Sequence, residues 1–181
     1  LRNGISPVAI KSRGRLECSM ASVLTLDNIN VDKKTVLVRV DINCPLHPVN
    51  KSFLDLSRIR AIVPTLNRLT SAKVVLLAHQ SRPGKKDFTS TLGHSRELGR
   101  LLGRSVKWVD DLCGDKAMNA IENLECGEIL MLNNVRMYDE EINTKGDFNA
   151  HAETRMVQNL ASVADVFVYD AFACAHRSTP S

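Results

Sequence analysis

The sequence predicts an α/β domain in three layers, a parallel β-sheet with helices on both faces. Five short apolar, β-branched runs carry that expectation: TVLVRV (35–40), KVVLLA (73–78), VKWV (106–109), EILMLN (128–133) and DVFVY (165–169). They are nearly continuous rather than alternating, as strands buried on both faces must be. Segments of helical spacing lie between them, and strand–helix–strand repetition favours right-handed crossovers. No shift in composition interrupts Leu24 to Ser181, so residues 23–181 are expected to form a single domain.

In the first helical segment Ile59, Ile62, Val63, Leu66 and Leu69 fall on one stripe, with Ser57 as the expected N-cap. Pro64 interrupts this stripe and should kink the helix or delay its start. Leu92, Leu98, Leu101 and Leu102 form a second stripe closed by Gly103. A third, Ala117, Ile121 and Leu124, is closed by Gly127, and Met156, Leu160 and Val163 form a fourth. SRPGKKDFTST and NTKGDF read as surface loops, and the run Asp139, Glu140, Glu141 as a solvated face.

Of 181 residues, 44% are hydrophobic and 24% charged, which describes a soluble globular chain. No window reaches the roughly 20 uninterrupted apolar residues of a membrane helix. The five cysteines, Cys18, Cys44, Cys113, Cys126 and Cys174, are odd in number and never spaced C-x-x-C. That argues against a disulfide framework or structural zinc and for a reducing cytoplasm. The net charge of +4 is concentrated in residues 1–20, where Arg2, Lys11, Arg13 and Arg15 outweigh Glu17. The remainder carries no basic face for a nucleic-acid backbone. Residues 1–22 are expected to lie outside the fold, as a disordered leader or a non-native extension, with Met20 the natural start.

In an open parallel sheet, ligands bind beyond the carboxyl ends of the strands. The first run is followed there by Asp41 and Asn43, and the second by His79 and Arg82. Asp110 and Asp111, after the third, read as caps or turn formers. Asn133, Asn134 and Arg136 follow the fourth, and Asp170, His176 and Arg177 the fifth. Arg58 stands at the expected start of the first helix. Four guanidinium groups, Arg58, Arg82, Arg136 and Arg177, suit a small ligand with several negative charges, because the planar fork pairs bidentately with carboxylate or phosphate. Asp41 and Asn43 could then bond sugar-like hydroxyls. Taken singly, each Arg is more simply a solvated loop residue and each His a bond to its own loop. There is no G-x-x-x-x-G-K-[ST] or G-x-G-x-x-G, no spacing for a bound metal and no nucleophile elbow.

VLVRVDINCP, SRIRAIVPTL, AHQSRPGKKDFTS, LNNVRMYDEE and VYDAFACAHRSTPS occur in that order. Together they resemble the N-terminal, Rossmann-like domain of phosphoglycerate kinase, its archaeal branch most of all. The resemblance implies a two-domain enzyme of glycolysis and gluconeogenesis, moving a phosphoryl group between 1,3-bisphosphoglycerate and ADP. It also implies that this chain is the half that holds 3-phosphoglycerate and is inactive alone. The magnesium nucleotide, Mg-ATP or Mg-ADP, would bind on a C-terminal domain absent from this chain. Matched position by position, Asp41, Asn43, Arg58, His79, Arg82, Arg136 and Arg177 fall on substrate-binding residues. Arg58 falls on the residue credited with stabilising the transferring group, with His176 and Asp170 in support. Ala78, Ser81, Asn133 and Tyr169 depart from the family's Ser, Gly, Glu and Asn, and at Ser81 a positive φ is wanted. No nucleic-acid or membrane partner is implied, and a monomer is expected. Two rival readings are a non-catalytic domain that binds a sugar-acid phosphate and a basic interaction module using residues 1–20.

Overall fold

The computed structural model describes residues 8–10, 24–144, 146–176 and 178–181. Its strands are β1 (Val8–Ile10), β2 (Thr35–Val40), β3 (Lys73–Leu77), β4 (Lys107–Trp108), β5 (Ile129–Met131) and β6 (Val166–Asp170). They form one sheet in the order β1-β6-β2-β3-β5-β4. All five expected strands are present, and their pairings are parallel, with Val36 opposite both Val74 and Val166.

A sixth strand falls within the segment expected to form a leader. Val8–Ile10 pairs antiparallel with Val166–Val168 on the outer edge of β6. An edge strand offers a row of unpaired backbone groups, and a short antiparallel segment can satisfy them without a long crossover. The rest of the expected leader lies outside the described residues.

Because β-strand side chains alternate, β2, β3, β5 and β6 feed two cores. Val36, Val38, Val40, Val74, Leu76, Ile129, Met131 and Val168 face one layer with Ile59, Ile62, Leu66 and Leu98. Leu37, Val75, Leu77 and Leu130 face the other with Ala117, Ile121, Leu124, Met156 and Leu160. This double burial is the reason the strands read as unbroken apolar runs.

The first core layer is built from α1 (Ser57–Ala61), α2 (Val63–Asn67) and α3 (Leu92–Leu102). Pro64 does break the expected helix, which restarts as α2 with the proline in its first turn, where a missing N–H costs nothing. Ser57 is not the N-cap. Leu56 holds that place, and the Asp55 carboxylate accepts from the Ser57 N–H instead. The α3 stripe ends as expected at Gly103, with φ of 65° in the left-handed region.

On the other face lie α4 (Asp115–Glu122) and α7 (Arg155–Val163), and Leu124 packs just past the end of α4. A short helix, α5 (Asp139–Asn143), stands where an acidic patch was expected, and a second, α6 (Phe148–Ala152), begins at the last residue of the expected NTKGDF loop. The acidic run is not a solvated face. Glu140 accepts from the N–H groups of Arg155 and Met156 at the start of α7, a favourable place for a carboxylate. Glu141 is buried and accepts from the N–H and hydroxyl of Ser181. No helix among the described residues is long and apolar enough to cross a membrane.

His94 sits in the core with its ring edge-on to Phe53 at 4.8 Å. Its Nε2 lies 2.9 Å from the Gln80 Oε1, while its Nδ1 has no partner. Burial lowers its pKa from 6.5 to about 4. The unfolded chain therefore takes up this proton at a higher pH than the folded one, and stability is lost as the pH falls from about 6.5 towards 4. Urea unfolding at neutral pH and near pH 4 should differ by about 3 kcal/mol from this group. In His94→Gln, that part of the pH slope should vanish.

Candidate anion-binding site at the strand ends

The segment leaving β2 begins at Asp41, whose carboxylate accepts from the Asn43 N–H at 3.3 Å and pairs with the Arg58 guanidinium at the start of α1. The side chain of Asp41 is 14% exposed and that of Arg58 is 44%, so the pair stands at a rim rather than in the core. Its charges add little to stability in that setting. Its effect is to hold one guanidinium beside the ends of the strands.

Asn43 reaches across to the segment leaving β3, where its Oδ1 accepts from the Ser81 N–H at 2.8 Å. On the far side, the Arg136 Nη1 donates to the Ser81 carbonyl at 2.5 Å. Arg136 follows β5 in a 3-10 turn, Val135–Met137, capped by Asn134. Arg58, Asp41, Asn43, Ser81 and Arg136 thus form one connected chain of polar contacts from the end of β2 to the end of β5.

Ser81 holds φ of 58°, the left-handed backbone anticipated there, without the glycine that adopts it cheaply. Bonds at its N–H and its carbonyl, with a third from its hydroxyl to Asp87 at 2.6 Å, hold it in place. Arg82 follows directly and is exposed.

His79 is buried, 3% exposed, and lies between Arg39 and Cys174. The Arg39 Nη2 reaches its Nδ1 at 3.2 Å, which makes that nitrogen the acceptor. Arg39 is itself buried in β2 and is further held by the Val40 carbonyl and the Ser181 hydroxyl. Asp41, His79 and Cys174 offer one ligand atom each within 4.8 Å of one another. Two of the three already face a guanidinium, Arg58 on Asp41 and Arg39 on His79, so the local charge opposes a cation and favours an anion.

The structure therefore brings together Asp41, Asn43, Arg58, His79 and Arg136. Asp170 instead accepts from the Thr65 hydroxyl at 2.6 Å, tying the end of β6 to α2. His176 is exposed just beyond the 3-10 turn Phe172–Cys174, and Arg177 lies outside the described residues. With Gly114 at the N-cap position, Asp111 organises the turn into α4, one of the two structural roles expected of it. Burial raises its pKa, but N–H groups of Ala117, Leu112 and Gly114 and the Tyr138 hydroxyl outweigh this and hold the carboxyl below its usual range.

Sequence reasoning missed Gln80, which holds the site from behind together with Asn133 and Asn134, the residues named after the fourth strand. Gln80 is wholly buried. Its Oε1 accepts from the Cys44 N–H and faces the His94 Nε2, and its Nε2 donates to the carbonyls of Cys44 and Asp87. Its backbone carbonyl accepts from the Asn134 amide at 2.8 Å, and that amide also reaches the Thr89 carbonyl. Asn133 accepts from Asn134 N–H and donates to Asp110 at 2.6 Å. A polar residue directly after an apolar strand was the only available signal for any of these.

The chain is thus an α/β domain with a parallel sheet and a connected basic and amide cluster at the carboxyl ends of the strands, the position at which open sheets of this kind hold ligands. The phosphoglycerate kinase family profile matches residues 26–181. This chain belongs to the phosphoglycerate kinase family. It is 49% identical over 159 residues to phosphoglycerate kinase of Methanobacterium bryantii, spanning 87% of this chain and 39% of that protein. It is 47% identical over 158 residues to that of Archaeoglobus fulgidus, again covering 87% of this chain and 38% of the relative. The crystal structure of phosphoglycerate kinase from Pyrococcus horikoshii OT3 superposes with a TM-score of 0.81 at 38% identity, over 86% of this chain and 38% of that one. The chain thus spans about two-fifths of the length of these relatives.

Replacing Gln80 by Leu leaves the Cys44 and Asp87 backbone groups and the His94 ring without their partners. It should cost about 3 kcal/mol or more in urea unfolding, since each buried group left unsatisfied costs about 1–3 kcal/mol. The substitution Ser81→Gly should recover about 1 kcal/mol of backbone strain and so offset the lost Asp87 bond, leaving stability within about 1 kcal/mol of the parent. The β-branched substitution Ser81→Val should be clearly less stable than either.

Proposed function

We propose that this chain is the 3-phosphoglycerate-binding part of a phosphoglycerate kinase, which moves a phosphoryl group between 1,3-bisphosphoglycerate and ADP. The contact chain Arg58–Asp41–Asn43–Ser81–Arg136 carries the reading. It sets two guanidinium groups and two hydrogen-bonding side chains at adjoining strand ends.

A ligand with a phosphate at one end and a carboxylate at the other can meet Arg groups at each end. Between them, Asp41 and Asn43 suit its hydroxyl. Arg136 and Arg82 serve the anionic ends, with Arg177 from the segment after β6, and His79 lines the floor behind Asp41. Arg58 is assigned the charge that grows on the transferring phosphoryl group. Phosphoryl transfer needs positioning and neutralisation more than covalent participation by the protein. Asp41 keeps Arg58 at the rim until an anion competes for it.

The magnesium nucleotide, a co-substrate, would be carried by polypeptide beyond the matched region. The glycine spacing of a phosphate loop occurs nowhere in this sequence. The chain by itself is therefore expected to bind without turnover. Cys44, Cys113, Cys126 and Cys174 are free, in keeping with a reducing, cytoplasmic setting.

Titration calorimetry at low salt should show 3-phosphoglycerate binding that inorganic phosphate displaces. No heat at millimolar ligand would overturn the assignment. Arg136→Ala should weaken binding by about 1.5–3 kcal/mol, the scale of a hydrogen bond to a charged group. An unchanged affinity would leave Arg136 as the clamp on Ser81 alone.

A further inference from the structure

Arg39 is the only charged residue in the apolar run TVLVRV (35–40), yet it is buried, 3% exposed. A buried cation is costly unless its donors are met. Its Nη1 donates to the Val40 carbonyl at 2.9 Å, its Nη2 to the His79 Nδ1 at 3.2 Å and its Nε to the Ser181 hydroxyl at 3.1 Å. That hydroxyl donates onward to the Glu141 Oε1 at 2.7 Å, while the other Glu141 oxygen accepts from the Ser181 N–H at 3.0 Å. Glu141 is buried to much the same depth, at 5% exposure. Neither charge is among the groups assigned to the ligand, and Ser181 joins one to the other.

Chemistry sets the direction of every bond in this line. An ionised carboxylate only accepts, a guanidinium only donates, and a hydroxyl has one proton to give and lone pairs to receive. Glu141 therefore accepts from the Ser181 hydroxyl, whose oxygen is left to accept from Arg39, and the guanidinium is oriented with Nη2 on His79. The Cys174 thiol, 4.0 Å from the same Nδ1, adds no strong acceptor there. A proton on Nδ1 would face a guanidinium that keeps its own, so the ring carries its proton on Nε2. We propose that Glu141 and Ser181 are positioning residues of the strand-end site. Acting through Arg39, they hold His79 in the tautomer that offers an anionic oxygen an N–H rather than a lone pair. This rests on the reading of that site as one for 3-phosphoglycerate.

Nitrogen NMR spectra of the histidine rings, taken without ligand, test the hold on the tautomer. The His79 ring, identified by its loss in His79→Gln, should show an unprotonated Nδ1 and a protonated Nε2 in the parent chain. In Ser181→Ala and in Glu141→Gln, with folding checked by urea titration, it should show a mixture of tautomers. Calorimetry should give 3-phosphoglycerate binding about tenfold weaker in both, the scale of one hydrogen bond to a charged group. Ser181→Thr keeps the hydroxyl, and Ser181 borders an apolar cavity of about 420 Å³ with room for a methyl group, so this variant should restore tautomer and affinity. In a His79→Gln background, Ser181→Ala should cost no further affinity, because groups that act through one another are not additive. Full additivity there, or an unchanged ring spectrum in the folded Ser181→Ala chain, would overturn the proposal. A parent chain that shows the expected tautomer and its loss in the variants, but binds no 3-phosphoglycerate, would remove the ligand assigned above and leave the hold on His79 standing.

Discussion

Gln80 is inaccessible to solvent, and all four of its side-chain hydrogen-bonding positions are used. Two go to the backbone of Cys44, one to the Asp87 carbonyl and one to His94. A buried amide is costly unless satisfied in full, and satisfied in full it admits one arrangement of its neighbours. Here those neighbours are the segment after β2, the loop after β3 and helix α3. Asn134 extends the same constraint to β5 by bonding the Gln80 carbonyl. The strand ends are consequently held in register by side chains pointing inward, while the Arg58 side chain stays partly exposed at the rim.

The arrangement separates two demands that would otherwise conflict. Guanidinium groups gathered at one rim repel each other, and each still needs an oxygen partner. The structure meets both by pairing Arg58 with Asp41 and by aiming Arg136 at the Ser81 carbonyl. Ser81 keeps a left-handed backbone that a glycine would take more easily, and three bonds stabilise it there. A strained loop residue is thus held by side chains that come from two neighbouring strand ends.

The two faces of the sheet are finished to different degrees. The layer of α1, α2 and α3 closes over its core, whereas the layer containing α7 leaves an apolar cavity with Pro180 and Ser181 on its wall.

The parallel strands, the main helical stripes and the break at Pro64 were legible in the sequence, because burial on two faces and a missing backbone donor are properties of neighbouring residues. So was the placement of Asp41, Asn43 and Arg136 just past strand ends and of Arg58 at the start of the first helix, since each follows from where the apolar runs stop. Gln80, Arg39 and Glu141 were not, for their partners lie far along the chain and a polar residue beside a strand reads as solvated until its surroundings are known. The antiparallel edge strand at Val8–Ile10 was equally hidden, since pairing with β6 depends on a free edge that exists only once the sheet is assembled. Local pattern determined the elements and the residues offered at their ends; the tertiary structure alone decided which of those residues meet, because contact between residues far apart along the chain is set by packing and by the satisfaction of buried polar groups.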